Sequence, residues 1–257
     1  MAVLLVDIGN RRIKWARCEA GRLGARHAAA HSGWGAADYR RRLFGRKAPA
    51  QRMLVSSVAG THVNRSLAKA ARRAGVAAEF VKVPRRAAGV SVGYLEPWRL
   101  GVDRFVAAIG AHHLFRGVAL CVVGVGTAMT VDLIDAVGRH RGGVIIPAPA
   151  LMIETLLDRT QGIRRRARGG ARGGAGLFGR STRAGVLRGA RYAAAGLVDR
   201  AVQEAVPLIG RKPLVVLTGG ESAAVRPLLT SASVGVPDLV LRGLAVLAHT
   251  ASPRRRR

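Results

Sequence analysis

The sequence predicts an α/β protein built from two related halves, each a mixed sheet covered by helices. Three observations predict it. An apolar strand runs into a polar glycine turn, Val6-Asp7-Ile8-Gly9-Asn10, and the pattern returns as Val123-Gly124-Val125-Gly126-Thr127. In both places the turn leads into a second strand, a further glycine turn and a third strand, with helices after it; a duplicated unit of this kind is a structural repeat rather than a solenoid period. The 257 residues are 49% hydrophobic, enough to bury a real core and too apolar for a disordered chain.

Taken in order, the first half starts with a strand over residues 2–6, then strands at 12–18 and near 26–31 separated by a turn at Gly21. A helix is expected over 35–44, a strand over 53–57, and a helix over 62–74 stopped by Gly75. A strand at 78–83 and a helix at 103–115, with the apolar stripe Phe105, Val106, Ile109 and Leu114, close the half. The second half reads as strands at 118–123, 128–134 and 143–146, helices at 150–157 and 182–205, a strand at 214–218 and a helix at 238–249. The boundary is expected at 116/117, giving units 1–116 and 117–257.

Composition excludes some classes. The longest apolar run, residues 118–134, is broken by Gly124, Gly126 and Asp132, so no membrane helix is expected. The chain opens on a strand-like run without the features of a signal peptide, and Cys18 and Cys121 read as buried or half-buried free thiols. A cytoplasmic protein is expected. The charge is extreme, 43 Lys+Arg against 14 Asp+Glu, a net +29. Such a field attracts polyanions. The basic residues are spread over the whole length and aromatics are only 4%, so nucleic-acid binding is expected to be non-specific and electrostatic. The Arg/Gly-dense segment 164–180 and the tail 254–257 read as solvated surface.

Because acids are scarce, their positions inform. Asp7 follows apolar strand residues and precedes Gly9 and Asn10, whose backbone N–H groups suit a phosphate, with the carboxylate suited to Mg²⁺. A plain hairpin turn reads the same way. The second turn adds Gly126, Thr127, Thr130 and Asp132; two such turns could clamp a triphosphate. A dinucleotide fingerprint fails, since Met129 stands at the third glycine position and no helix follows. Asp103 and Arg104, side by side at a helix start, suit a general base beside an anion clamp, or a helix cap. Thr218-Gly219-Gly220 joins a strand to a helix where a nucleoside could approach backbone, or is an ordinary turn.

In this order the motifs resemble the type III pantothenate kinase family of the actin-like ATPase superfamily (also described as Bvg accessory factor-like), along nearly the whole chain. Asp7-Ile8-Gly9-Asn10 with Lys14 resembles its first phosphate motif, and Gly126-Thr127-Ala128 with Thr130 and Asp132 its second. Gly101, Asp103 and Arg104, with Tyr94 upstream, resemble its substrate motif; Gly142-Gly143 with Ile145-Ile146-Pro147, Thr160, Ser181-Thr182 and Thr218-Gly219-Gly220 follow in family order.

The resemblance implies a duplicated ribonuclease H-like fold, two mixed sheets flanked by helices around a central cleft, and a homodimer. It implies ATP-dependent phosphorylation of pantothenate, the first step toward coenzyme A. Asp103 would be the base. Tyr94, Gly101, Val102, Asp103, Arg104 and Thr182 would hold pantothenate. Asp7, Ile8, Gly9, Asn10, Arg11, Arg12, Ile13, Lys14 and Thr127 would hold ATP, with Asp7 toward Mg²⁺. Four positions depart from the family pattern: Arg11 stands for Thr, Ala148 for Gly, Ser181 for Asn, and Gly124 for an Asp that binds a monovalent cation, K⁺ or NH₄⁺. The competing reading is a catalytically weak relative that acts as a regulatory or nucleic-acid-binding protein.

Overall fold

The computed structural model describes residues 2–45, 50–169 and 176–250. In chain order the strands are β1 Val3–Ile8, β2 Arg12–Glu19, β3 Arg22–Ala30, β4 Arg52–Ser57, β5 Ala77–Phe80, β6 Arg86–Ala87, β7 Val90–Ser91, β8 Leu120–Val125, β9 Ala128–Ile134, β10 His140–Pro147, β11 Leu214–Thr218 and β12 Ser233–Gly235. The α-helices are α1 Ala36–Tyr39, α2 Thr61–Arg73, α3 Val102–Leu114, α4 Pro149–Arg159, α5 Gln161–Arg166, α6 Thr182–Ile209, α7 Ser222–Val225 and α8 Leu239–Thr250. Two compact units result. The first holds the chain up to Gly117, Val137–His140 and the chain from Asp238 on; the second holds Val118–Ala136 and Arg141–Pro237.

The first unit carries a five-stranded sheet in the order β3-β2-β1-β4-β5. β1 pairs antiparallel with β2 and parallel with β4. β1 reads as a continuous apolar run because both of its faces are covered. Leu4, Val6 and Ile8 pack with Met53 and Val55 of β4, Leu67, Ala70 and Ala71 of α2, and Tyr39 of α1. The spacing of Leu67, Ala70 and Ala71 is one helical stripe, and Gly75, at φ +70°, ends the helix. On the other side α3 and α8 pack against β1 and β4. These two helices approach backbone to backbone. A Cβ on Gly243 would lie 1.9 Å from the Val106 carbonyl oxygen, and one on Gly110 would lie 2.6 Å from that of Leu239. Only glycine permits that approach.

The second unit repeats the plan. Its sheet runs β10-β9-β8-β11-β12, with β8 antiparallel to β9 and parallel to β11. Cys121, Val123 and Val125 pack with Met129, Val131, Val215 and Leu217 against Ala194, Ala195, Val198 and Val202 of α6. The duplicated α/β architecture of two mixed sheets flanked by helices is the one the sequence predicts.

Several expectations change in detail. The 116/117 boundary placed the last helix in the second half, whereas α8 packs on α3 and belongs to the first unit. The reason is the paired glycine contact of Gly110 and Gly243, which local periodicity does not reveal. The helix expected over 35–44 is one α turn followed by a π-helical turn, Arg40–Phe44. Within the Arg/Gly-dense segment, Arg164 to Arg166 lie in α5. Positions 170–175 of that segment, and the tail 254–257, lie outside the described residues. Cys18 and Cys121 are buried and free, and burial, with Asp132 nearby, pushes the Cys121 thiol up to about 12. Among the described residues no helix is long and apolar enough to cross a membrane.

Candidate active site

In the first unit the loop end of the sheet gathers the charged residues. Asp7 is the penultimate residue of β1 and stands in register with Lys14 of β2 and Ser56 of β4. Neighbouring residues of paired strands point their side chains to the same face. Leu4, Val6 and Ile8 point into the core with α2, so Asp7 points to the side where α3 and α8 lie. Burial pushes its carboxyl up to about 7; Lys14 opposes this, while Asp103 and Asp238 add to it. A carboxylate so crowded by its own kind favours a proton or a cation. Lys14 Nζ lies 3.3 Å from Asp238 Oδ1, and Arg26 Nη1 lies 3.5 Å from Asp238 Oδ2. Asp238 is one of few non-glycine residues at positive φ, +55°, and stands directly before α8.

The substrate motif occupies the start of α3 in the same unit. Gly101, not Asp103, is the N-cap of that helix. Asp103 sits in the first turn, where its Oδ1 accepts from the Arg104 backbone N–H at 2.9 Å. A Cβ on Gly101 would come within 2.8 Å of that oxygen, so glycine there gives the carboxylate its place. Arg104 is buried and donates from Nη1 to the Tyr94 hydroxyl at 3.1 Å. Its guanidinium carbon stands 5.8 Å from the Tyr94 ring centre. Residues ten apart in sequence thus form one unit.

The first glycine turn is closed by Gly9 N–H donating to the Arg12 carbonyl at 2.9 Å. The second turn, in the second unit, is closed by Gly126 N–H donating to the Ala128 carbonyl at 3.0 Å. The Thr127 carbonyl accepts from Ala148 N–H at 3.2 Å, which ties this turn to the start of α4. Ala148 caps α4 at φ −69°, a conformation open to any residue, so alanine stands there without strain. Gly124 stands in register with Thr130 of β9 and Thr218 of β11. Gly219 must be glycine: its φ is +102°, and a Cβ would lie 2.1 Å from the Val125 carbonyl oxygen. Thr182 opens α6, and Ser181 caps it, its Oγ accepting from Ala184 N–H at 3.1 Å.

The structure therefore brings Asp7, Lys14, Tyr94, Asp103 and Arg104 into one unit, and places Gly124, Thr127, Thr182 and Gly219 in the other. Sequence reading missed His31, Asp238, Ser56 and Glu221. Glu221 Oε2 accepts from the Ala150 N–H at the start of α4 across 3.1 Å. Asp238 could have been flagged as one of only 14 acids. His31 carries no sequence signal.

A doubled five-stranded sheet with glycine turns at the matching strand ends defines a protein of the actin-like ATPase fold. Solved structures agree on that fold. They include a Baf family protein from Campylobacter jejuni, at TM-score 0.61, 17% identity and coverage of 96% of this chain and 98% of that one. Another is component A of (R)-2-hydroxyglutaryl-CoA dehydratase from Acidaminococcus fermentans, at TM-score 0.56, 12% identity and coverage of 97% and 98%. A family profile described as type III pantothenate kinase matches residues 3–204. Proteins named type III pantothenate kinase from Nitrosococcus oceani and Azoarcus sp. are similar along their length. The first is 33% identical over 259 residues, 99% of this chain and 96% of the relative. The second is 38% identical over 252 residues, 96% and 90%. This chain belongs to the type III pantothenate kinase family.

Proposed function

We propose that the protein transfers the γ-phosphoryl group of ATP to the primary hydroxyl of pantothenate. The observation that carries this reading is the arrangement at the start of α3. A carboxylate in the first helical turn, Asp103, adjoins a buried guanidinium, Arg104, held by Tyr94, in a chain of this family. The hydroxyl oxygen attacks phosphorus, the bond from phosphorus to the β,γ-bridging oxygen breaks, and the hydroxyl proton passes to Asp103. Phosphoryl transfer asks the protein for alignment and charge stabilisation rather than covalent chemistry. Arg104, Tyr94, Gly101 and Val102 take pantothenate, with Thr182 as a further contact. Asp7 to Lys14 and Thr127 take ATP.

Asp7 fits a role toward Mg²⁺. Its carboxyl is pushed up to about 7 by burial, with Asp103 and Asp238 adding to the negative field, and a divalent cation draws such a group into its ionised form. Among the described residues no cluster of three or more His, Cys, Asp or Glu is arranged to hold a metal alone. Mg²⁺ held by one carboxylate with phosphate oxygens and water suits that donor set. When bound, the ion neutralises charge on the phosphates. The monovalent-cation site of the family is reduced here to what Gly124 can offer, a backbone carbonyl. A homodimer is the expected assembly, with Val144 and Ile145 exposed on the edge strand β10 as apolar surface it would cover. The cytoplasm, where ATP and pantothenate meet, is the expected location.

The test is ADP release by the purified protein with pantothenate against a small panel of other alcohols, in several monovalent salts. Turnover selective for pantothenate supports the reading. A folded protein releasing no ADP with pantothenate in any salt rejects it. The regulatory alternative rests on the net charge of +29. Tight binding to one nucleic-acid sequence at physiological salt would favour it, because non-specific binding collapses as salt rises.

A further inference from the structure

His31 lies outside every motif read from the sequence, just beyond the end of β3. Its side chain is buried, at 5% exposure, and both ring nitrogens are engaged. Nε2 stands 2.8 Å from the carbonyl oxygen of Gly9, and Nδ1 stands 3.1 Å from the Tyr39 hydroxyl. A carbonyl can only accept, so Nε2 carries a proton and donates it to Gly9.

The ring is held from several sides. Tyr39 is fully buried in the core that includes Ile8 and Leu67. Trp34 packs edge-on to His31 and to Tyr39, with ring centres 6.4 and 5.4 Å away. The donor to Gly9 is therefore fixed by packing that reaches into the core.

Gly9 needs such an anchor. A Cβ there would meet its nearest neighbour, the Arg12 carbonyl oxygen, at an ordinary 3.5 Å, so nothing steric demands glycine. Glycine's backbone is the most permissive of all, and a turn built on it does not by itself choose which way its peptide planes face. The Gly9 N–H is already used within the turn, donating to Arg12. The C=O and N–H of one trans peptide point in opposite directions. Holding the Gly9 carbonyl toward His31 therefore points the Asn10 N–H, which lies in the same peptide plane, the opposite way.

We propose that His31 is a positioning residue for the first phosphate turn, fixing the Gly9–Asn10 peptide so that the Asn10 N–H is presented to a nucleotide phosphate. The proposal rests on the reading that this turn holds ATP. A glycine turn with its peptide locked binds phosphate without first paying the entropy of ordering.

The test compares the parent with His31→Phe, which keeps a ring and loses both hydrogen bonds, and His31→Gln, which can keep an N–H toward Gly9. Affinity for ATP and ADP with Mg²⁺ is measured by calorimetry without pantothenate, alongside KM for each substrate and the thermal midpoint. His31→Phe is expected to weaken nucleotide binding and raise KM for ATP about three- to tenfold, the worth of one hydrogen bond. KM for pantothenate should stay within about twofold, because a defect confined to one turn leaves the other substrate's contacts intact. His31→Gln should recover most of the loss. If His31→Phe does not fold, Tyr39→Phe removes only the ring's hydroxyl partner and should shift nucleotide affinity in the same direction. Unchanged nucleotide affinity in a folded variant overturns the proposal, as does an equal rise in both KM values with a lowered midpoint, the mark of general packing damage. A parent that binds no nucleotide removes the phosphate reading itself, a result distinct from variants that match a parent that binds.

Discussion

At the loop end of the first sheet, Asp7 stands in register with Lys14 on one side and Ser56 on the other. At the same positions of the second sheet stand Gly124, Thr130 and Thr218. The strand order is the same in both sheets, and each has a glycine turn closed by a backbone hydrogen bond. The scaffold has been kept through the duplication while the side chains at its loop ends have diverged. The first end carries a carboxylate, an ammonium and, on the neighbouring α3, a second carboxylate with a guanidinium. The second end offers hydroxyls and bare backbone at the matching register positions, its nearby carboxylate, Glu221, being engaged by the Ala150 N–H. Charge that must move protons or meet a metal belongs to the first kind of surface. A nucleotide approached by backbone suits the second, where Gly219 brings the chain against Val125.

The comparison breaks most sharply at Asp103. Asp103→Asn keeps the shape and cannot accept a proton, so kcat should fall about 10²- to 10⁴-fold, with the circular dichroism spectrum and thermal midpoint near the parent's. Turnover within a few-fold of the parent would reduce Asp103 to a residue that stabilises the first turn of α3.

Gly219→Ala probes the backbone end. The new Cβ must occupy a conformation that L side chains avoid and displace the Val125 carbonyl. A loss of about 2–4 kcal/mol in denaturant unfolding is expected, together with weaker nucleotide binding. Parent-like stability would mean that this turn relaxes freely and that its tight approach plays no part.

Asp7 sharpens the contrast through pH. Its folded value of about 7 lies above the 3.8 of the unfolded chain, so the folded state binds the proton more tightly. Stability from this group is full below about pH 4 and declines as pH rises through about 7. In metal-free buffer the parent's midpoint should drop between those limits relative to that of Asp7→Asn, which has nothing to ionise. Parallel profiles for the two proteins would show that Asp7 is not held in a disfavoured charge state.

The smallest effect is expected at Gly124. Gly124→Asp introduces a carboxylate at this strand end, but its Cβ would lie 3.1 Å from Thr130 Oγ1, so Thr130 must give by a few tenths of an ångström. A hard monovalent cation needs oxygen ligands, and the parent offers only a carbonyl at this position. Parent turnover should therefore change less than about threefold when K⁺ is exchanged for a bulky organic cation, since a single carbonyl contributes little selectivity. The variant should gain a K⁺ response. A strong K⁺ requirement in the parent would contradict this, and near-zero parent activity rescued by the variant with K⁺ would mark a decayed site.

The sequence by itself determined the repeat, the α/β class and the order of the motifs. These follow from local rules: apolar runs for doubly covered strands, glycine at turns, and a stripe at Phe105, Val106 and Ile109 for a helix face. Asp7 was legible because a carboxylate straight after an apolar strand is costly to bury without a cation or donors, whereas Asp103 and Arg104 read as a helix cap by spacing alone and stood out only in the ordered set of family motifs. Tertiary structure alone decided where α8 belongs, because that depends on two glycines, Gly110 and Gly243, meeting backbones far away in sequence. It alone joined Asp238 to Lys14 and His31 to Gly9, and it set the Tyr94 hydroxyl against the Arg104 guanidinium. In each case the partner is chosen by the geometry of packed elements, and a spacing along the chain holds no record of which side chain will stand 3 Å away once the sheet has formed.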